Sequence, residues 1–322
     1  MNTSPDKVMG LAEAVGRFVP EGAHLSIGGF TCNRNPMAAV YEIIRQRRRG
    51  LHLYAHSNGQ GVDELVGAGC VARIEVAYAG TGRFAPTCIR FRKAVEKGLI
   101  LFEDYSNYQM TLRFMAGAIG VPFLPTRSSL GTDIVARWGF SPELRASDPG
   151  LPDRKLVVLE NPFGAWGETE RVVLVPAIRP DVTLLHVQQA APDGTARIDG
   201  LTFADVEQAK AARHVVLTCE RLVKPEELRA EPERNQIPGI VVDAVVPVRY
   251  GAYPTACYRC YDYDPDFLSD YRTAASDDGR FEAYLERWAY RDHSERMVQV
   301  GAERLDAIKA DPRTGYATGL KR

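Results

Sequence analysis

The chain has 322 residues, enough for one large α/β domain, and 40 basic residues against 41 acidic ones. That balance argues against an extended nucleic-acid surface. No apolar run approaches the roughly 18–20 residues needed to span a bilayer, and Met1–Met9 is charged, contains Pro5 and lacks an apolar h-region. A cytoplasmic protein is expected. Six cysteines in a chain this long do not suggest a disulfide scaffold. Cys257 and Cys260 form the one close pair, without a second pair or a near histidine, so no metal site is expected.

Val8 to Phe18 places Leu11, Ala14, Val15 and Phe18 on one face of a peripheral helix. Glu21-Gly22 turns the chain into a first strand, Ala23 to Ile27, which ends at Gly28-Gly29-Phe30 and a polar loop closing on Pro36. Met37 to Gln46 then reads as a helix, closed by the basic cluster Arg45, Arg47, Arg48 and Arg49. A strand, a tight turn and a helix start within about twenty residues form a place where backbone amides gather. Paired glycines there let backbone approach a ligand, although the same glycines would serve an ordinary turn. The spacing matches neither the dinucleotide fingerprint nor the P-loop.

The same unit recurs. Strand Leu51–Ala55 is followed by the polar loop His56–Gly61 and a helical stretch, Val62–Val66. Strand Ile74–Tyr78 leads to Ala79–Arg83 and the basic helix Thr87–Lys97; strand Leu99–Phe102 leads to Glu103–Asn107 and the helix Tyr108–Ala118. Val121–Pro125 is stiffened by its prolines. Residues 142–178 read as an edge insertion, beginning with a Pro-, Asp- and Gly-rich surface excursion and carrying short strands at Lys155–Leu159 and Arg171–Val175 around Asn161-Pro-Phe-Gly. Further strands are expected at Val182–Val187, Ala196–Ile198, His214–Thr218 and Val241–Val246, a helix over Thr202–Ala212, and a helical C-terminal tail from about 281 to 322. This alternation predicts an α/β fold: one domain over 1–322 with an open, mostly parallel sheet and helices on both faces. Ligands in such sheets meet the loops at the carboxyl ends of the strands. The loops at 28–35, 56–61, 79–83 and 103–107 are therefore expected to converge.

Taken together these loops resemble the alpha (A) subunit of family I CoA transferases, in the glutaconate branch. The resemblance rests on Glu21-Gly22, Leu25–Ile27, Gly28-Gly29-Phe30 and Pro36, followed by Glu103–Ser106, Pro122–Pro125, Asn161–Phe163, His186–Ala190, Pro192–Thr195, Thr218–Glu220, Ile237–Gly239, Val242–Val245, Tyr250–Ala252 and Tyr261–Asp264. Arg34 in the first loop matches the glutaconate branch; Ser26 inside the first strand departs from the pattern. Gly82, beside Arg83, stands where the glutaconate enzyme has a serine of its acyl-binding loop, which implies a different acid.

The resemblance implies one half of a heteromeric acyl-CoA:carboxylate CoA-transferase, active only with a beta (B) subunit that supplies the glutamate of a glutamyl-CoA thioester. CoA thioester is then the substrate and no further cofactor is required. Expected substrate-binding residues are Gly28, Gly29, Phe30, Arg34, Asn58, Gly59, Thr81, Gly82 and Arg83; the guanidinium of Arg34 or Arg83 suits a carboxylate, although either could be a solvated loop arginine. His186, inside an apolar run, reads more readily as a core histidine bonded to a neighbour. A related branch, the ring-opening hydrolases of steroid breakdown, implies an alternative in which Glu103 is a general base activating water. A stand-alone acyl-CoA-binding module is the third alternative.

Overall fold

The computed structural model describes residues 6–163 and 171–320. Among the described residues twelve strands follow one another: β1 (His24–Ile27), β2 (Phe30–Thr31), β3 (Leu51–Asn58), β4 (Val71–Ala79), β5 (Leu101–Asp104), β6 (Phe123–Thr126), β7 (Val157–Glu160), β8 (Arg171–Pro176), β9 (Val182–Ala190), β10 (Ala196–Arg197), β11 (His214–Leu222) and β12 (Ala244–Pro247). The main sheet runs β12-β11-β9-β1-β3-β4-β5, with every neighbouring pair on that path parallel. The short β2 pairs parallel with β3, and β10 pairs antiparallel with β9. The expected open, mostly parallel sheet is what the chain forms.

Alternate residues of each strand feed opposite faces, as the pleat requires. Leu53, Ala55, Leu184 and Val216 pack with the helices Met37–Arg45, Gln60–Gly67 and Ile89–Glu96 in one core. Their neighbours Leu185, Val215 and Leu217 turn to the other face and meet Ala209 of the helix Asp205–Ala211. Ser26 follows the same rule: it faces that helix and accepts from Gln208 Nε2 at 2.8 Å, so the one polar hydroxyl of β1 is satisfied.

The helix Asn107–Ile119 begins with a capping box, in which Ser106 Oγ accepts from Gln109 N at 3.1 Å and Gln109 Oε1 from Ser106 N at 3.0 Å. Its Met110, Leu112 and Phe114 lie between Tyr54 of the main sheet and Val173 and Val175 of a second sheet. That second sheet, β6-β8-β7, is antiparallel throughout. The excursion read at 142–178 thus contributes β7 and β8 to a sheet that β6 completes, and neither strand joins the main sheet. Residues 164–170, including Gly164 of the Asn161-Pro-Phe-Gly turn, lie outside the described residues, as do 1–5 of the Met1–Met9 stretch and 321–322 of the expected tail.

Two element ends differ from the sequence reading in ways that matter to the site. β3 continues through His56–Asn58, because β2 on one side and β4 on the other supply partners for Ser57 and Asn58. β5 starts at Leu101 and includes Glu103, which pairs in register with Glu75 of β4. Glu103 is therefore inside a strand, not in the loop after it. In the C-terminal region, helices Pro265–Ala275, Asp278–Tyr284, His293–Val300 and Ala302–Ala307 flank a π turn at Leu285–Ala289. No helix among the described residues is long and apolar enough to cross a membrane.

Candidate active site

The loop after β1 folds back on itself. Phe30 N donates to Asn33 O at 2.8 Å and Asn33 N to Phe30 O at 2.7 Å. Thr31 and Arg34 both have positive φ, 50° in each case, a conformation that costs energy for residues other than glycine. Gly29, at φ 86°, needs the freedom glycine has, since a Cβ there would stand 2.6 Å from the carbonyl oxygens of Asn33 and Arg34. Neither glycine offers its amide to a ligand: Gly28 N donates to Leu184 O at 3.0 Å, and Gly29 N to Asp205 Oδ1 at 2.9 Å. Here the glycine pair serves close packing.

Asn58 ties the second loop to the first. Its Nδ2 donates to Gly28 O at 2.9 Å, while its Oδ1 accepts from Val62 N at 3.2 Å, so the buried amide is used as a bracket. Gly59 lies where three loops meet. Its amide reaches Thr31 O at 3.1 Å, and a Cβ on it would fall 2.5 Å from Thr81 Cγ2 and 2.6 Å from Gly80 O. The fourth loop is joined through the first residue of its helix: Ser57 Oγ donates to Asn107 Oδ1 at 2.6 Å, and His56 Nε2 lies 3.1 Å from Asn107 O. The loops after β1, β3 and β4 thus share contacts, with the β5 loop attached at Asn107.

What this cluster turns outward is limited. Gly28, Gly29, Asn58, Gly59 and Thr81 are buried; Phe30 is half-buried; Gly82 and Arg83 are exposed. Arg83 lies over the rings of Phe84 and Tyr263 and borders a groove of about 840 Å³. Arg34 is buried instead. It pairs with Asp205 at 3.0 Å, donates to Leu201 O at 3.0 Å, and lies over Phe203, which itself has φ 52° and stacks on Phe30 with ring centroids 4.9 Å apart. Arg34 lines a smaller cavity of about 310 Å³ with Leu201, Phe203, Tyr258 and Tyr316. The two arginines proposed as carboxylate partners therefore border two different depressions.

Glu103 is 1% exposed and its carboxylate accepts five hydrogen bonds. Arg145 Nη2 reaches both oxygens, at 2.5 and 2.6 Å; Tyr105 Oη donates at 3.1 Å; the amides of Gly139 and Phe140 donate at 2.9 and 3.2 Å. It lies three strands from β1 along the sheet, roughly 14 Å at the usual inter-strand spacing.

Sequence reasoning missed Asp205, whose carboxyl holds Gly29 and faces Arg34. Burial pushes that carboxyl up from its ordinary range, while Arg34 and the Gly29 amide oppose the shift. It also missed the clamp behind the first loop. Arg34 N donates to Ala256 O at 2.6 Å, Ala256 N to Cys32 O at 2.9 Å, and Asn35 N to Thr255 Oγ1 at 3.1 Å. The chain leading into that segment is held by Glu220, which accepts from Tyr250 N, Gly251 N and Tyr261 Oη and lies 2.8 Å from His186 Nε2. His186 is a core histidine, its Nδ1 bonded to Thr218 Oγ1 at 2.8 Å. Cys257 and Cys260 are free thiols. His186, Glu220 and Cys257 bring ligand-type atoms within 4.8 Å, as do His24, His52 and Asp148. In the first group the histidine and carboxylate already bind each other; in the second, Arg73 holds the Asp148 carboxylate at 2.6 Å.

The open parallel sheet thus carries three interlocked loops at its carboxyl edge, and none of the loops 28–35, 56–61 and 79–83 contains an acid. Residues 8–247 match the Coenzyme A transferase family. The alpha (A) subunit of glutaconate CoA-transferase from Acidaminococcus fermentans is 40% identical over 96% of this chain and 97% of its own. The crystal structure of that enzyme superposes with a TM-score of 0.92, covering 97% of this chain and 98% of the other. The corresponding (A) subunit of 3-oxoadipate CoA-transferase from Pseudomonas knackmussii is 30% identical over 91% and 98% of the two chains. A cholesterol ring-cleaving hydrolase subunit of Rhodococcus jostii is 29% identical over 85% and 89%. The chain belongs to the coenzyme A transferase family. Within it, the chain is an alpha-type subunit closely related to that of glutaconate CoA-transferase.

Proposed function

We propose that this subunit, joined to a beta-type partner, moves CoA from an acyl-CoA thioester to a small carboxylic acid through a glutamate supplied by the partner. One observation carries the assignment of the nucleophile. The three interlocked loops contain no Asp or Glu, and the carboxylates of Asp205, Asp262 and Glu103 around them are buried and engaged. That points to an attacking carboxylate from across the cleft. Its oxygen adds to the thioester carbonyl and expels CoA thiolate, leaving a mixed anhydride. The thiolate then attacks the glutamyl carbonyl and releases the acyl group as its carboxylate. The acceptor carboxylate reverses both steps on the glutamyl thioester, so no water is consumed.

In this reading Gly28, Gly29, Asn58 and Gly59 build the wall, and Phe30, Thr81, Gly82 and Arg83 meet the acyl group, with Arg83 pairing its carboxylate. Arg34 acts from behind by fixing the crest of the first loop. The Gly82-Arg83 pair supports an acid other than glutaconate. The five hydrogen bonds on Glu103 count against the general-base alternative, since a base needs a lone pair directed at its proton. Six free cysteines accord with a reducing, cytoplasmic setting.

Mass spectrometry of the assembled complex after exposure to acyl-CoA is expected to find a CoA adduct on a partner glutamate, with no exchange by this chain alone. Robust exchange by the isolated chain, or an adduct on it, would overturn the proposal.

A further inference from the structure

Cys257 and Cys260 are separated by Tyr258 and Arg259, and the fold closes the chain between them into a turn. Cys260 N donates to Cys257 O at 2.9 Å, while Cys257 and Tyr261 exchange two further bonds of 2.9 Å. A turn of that kind holds its first and last Cα within about 7 Å, and a disulfide spans about 4.4–6.8 Å. Arg259, at φ 67°, takes the left-handed conformation that the tight reversal requires. Cys257 lies in the main core and Cys260 packs against the same core, so both thiols turn to one side. Burial, and after it the neighbouring Cys260 thiol, pushes the Cys257 thiol above its ordinary range. The turn is also tied to the candidate site. Ala256, next to Cys257, accepts from Arg34 N at 2.6 Å and donates to Cys32 O at 2.9 Å. Backbone directly beside the pair therefore fixes the crest of the first loop.

We propose that Cys257 and Cys260 form a reversible disulfide, a modification site that switches the hold on the first loop. The oxidant is a small-molecule disulfide such as oxidised glutathione. The half-buried Cys260, as thiolate, attacks one sulfur of that disulfide and expels the other half as a thiol. Cys257, as thiolate, then attacks the Cys260 sulfur and expels the second half, closing the Cys257–Cys260 bond. The two protein thiols give up two electrons and two protons, and the oxidant leaves as two thiols. A bond that closes so short a loop constrains the unfolded chain little, which leaves it readily reducible. In a reducing compartment such bonds are transient and suited to sensing. Closing it changes the side-chain torsion of Cys257, one residue from the backbone that holds Arg34 and Cys32. The effect on rate rests on the proposed function; the bond and its effect on the loop do not.

The test equilibrates the assembled complex with oxidised or reduced glutathione, alkylates the remaining thiols and maps this chain by mass spectrometry. Trypsin cleaves after Arg259, so the two cysteines fall on separate peptides that only the disulfide links. The linked pair is expected with oxidised glutathione, and dithiothreitol should return both peptides to free thiols. Hydrogen exchange over residues 28–35 is expected to rise in the oxidised complex, and the transfer rate to fall by a factor of about five or more, the low end of ordinary coupling between sites. Cys260→Ser, at a half-buried position, should keep the reduced wild-type rate and exchange in both buffers. Peptides that stay unlinked, a glutathione adduct on Cys32 alone, or a linked pair with unchanged exchange over residues 28–35 would overturn the inference. The wild-type measurements decide this even if the variant fails to fold. A complex that transfers no CoA in either state would instead refute the proposed function, and peptide mapping with exchange would still decide the switch.

Discussion

Two buried carboxylate sites, one within the main sheet and one in helices packed against it, are held in opposite ways. At the β5 edge, Glu75 meets Arg113 and His52, and Glu103 meets Arg145. A guanidinium faces each carboxylate, His52 adds a ring nitrogen whose pKa burial lowers, and Glu103 has further donors from two amides and a tyrosine. Around the loops after β1 and β3, the pairing is looser. Arg34 and Asp205 are in contact at 3.0 Å, yet Arg34 Nη1 and Asp205 Oδ2 lack hydrogen-bond partners. In the helix that follows β3, Glu64 makes no ion pair among the described residues; its partners are Gln60, Tyr41 and Tyr284, each at 2.7–2.8 Å. Unpartnered buried atoms occur in both regions, on Arg145 Nε and His52 Nδ1 as well as on Arg34 Nη1 and Asp205 Oδ2; what sets the loop region apart is its positive-φ backbone at Thr31, Arg34 and Phe203, a kind of strain that concentrates at functional sites. The resemblance to a hydrolase branch draws attention to Glu103, but its surroundings are those of a brace.

The largest effect should follow from breaking that brace. Glu103→Gln leaves Arg145 charged and buried opposite a neutral amide, and removing one member of a buried pair costs about 3–5 kcal/mol. Denaturant unfolding should show that loss, while the assembled variant still forms the partner adduct with acyl-CoA. A stable variant that has lost hydrolysis or transfer by 10²–10⁴-fold, the size expected of a positioned acid or base, would return Glu103 to the chemistry.

The comparison also has a pH signature. Burial pushes the Glu64 carboxyl up to about 7 from its ordinary 4.5, with Asp63 adding to the shift and the Gln60, Tyr41 and Tyr284 hydrogen bonds opposing it. A folded-state value above the unfolded one means the native state holds the extra proton between them. Glu64's neutral form thus favours folding fully below about pH 4.5, and that advantage is lost as pH rises to about 7. The span amounts to about 3 kcal/mol. Glu75 has the opposite sense: its carboxyl is held well below its ordinary value by Arg113 and His52 against the cost of burial, and it loses its contribution as pH falls. Glu64→Gln should flatten the decline in stability between pH 4.5 and 7 and leave acid unfolding in place. An unchanged slope would mean that Glu64 is ionised at neutral pH.

The sequence made the sheet and the loops legible because both are local patterns: apolar runs of strand length, glycine and polar turns, and helices at 3.6-residue period. It could not show what braces them. Arg145 lies in the excursion that reads as surface, 42 residues from Glu103, and Asp205 reads as an ordinary first-turn acid although it holds Gly29, 176 residues away. Pairing over such separations follows from chain topology, which periodicity does not encode. The same limit separated Arg34 from Arg83. Both are loop arginines in sequence, and only the fold shows one paired behind the loop and the other at its open side.

That separation supplies the smallest and most selective prediction. Arg83 is exposed and follows Gly82, which has φ 61° and no heavy atom near the position of a Cβ. Substitutions at such surface positions usually change stability by no more than about 0.5 kcal/mol. Arg83→Gln should therefore unfold at nearly the wild-type denaturant concentration. If Arg83 pairs the carboxylate of the substrate acid, removing its charge should raise KM for that acid about tenfold, about 1.4 kcal/mol, with a smaller change in kcat. Arg83→Lys, which keeps charge but loses the planar fork, should recover only part of the affinity. Arg34→Gln should behave in the other way. It leaves Asp205 buried without its cation, so stability and kcat should fall together while KM moves less. Steady-state kinetics on the two variants, with unfolding curves run in parallel, separates the roles. If Arg83→Gln left KM for every acid tested unchanged while Arg34→Gln raised it without loss of stability, the two arginines would have to exchange places in the mechanism.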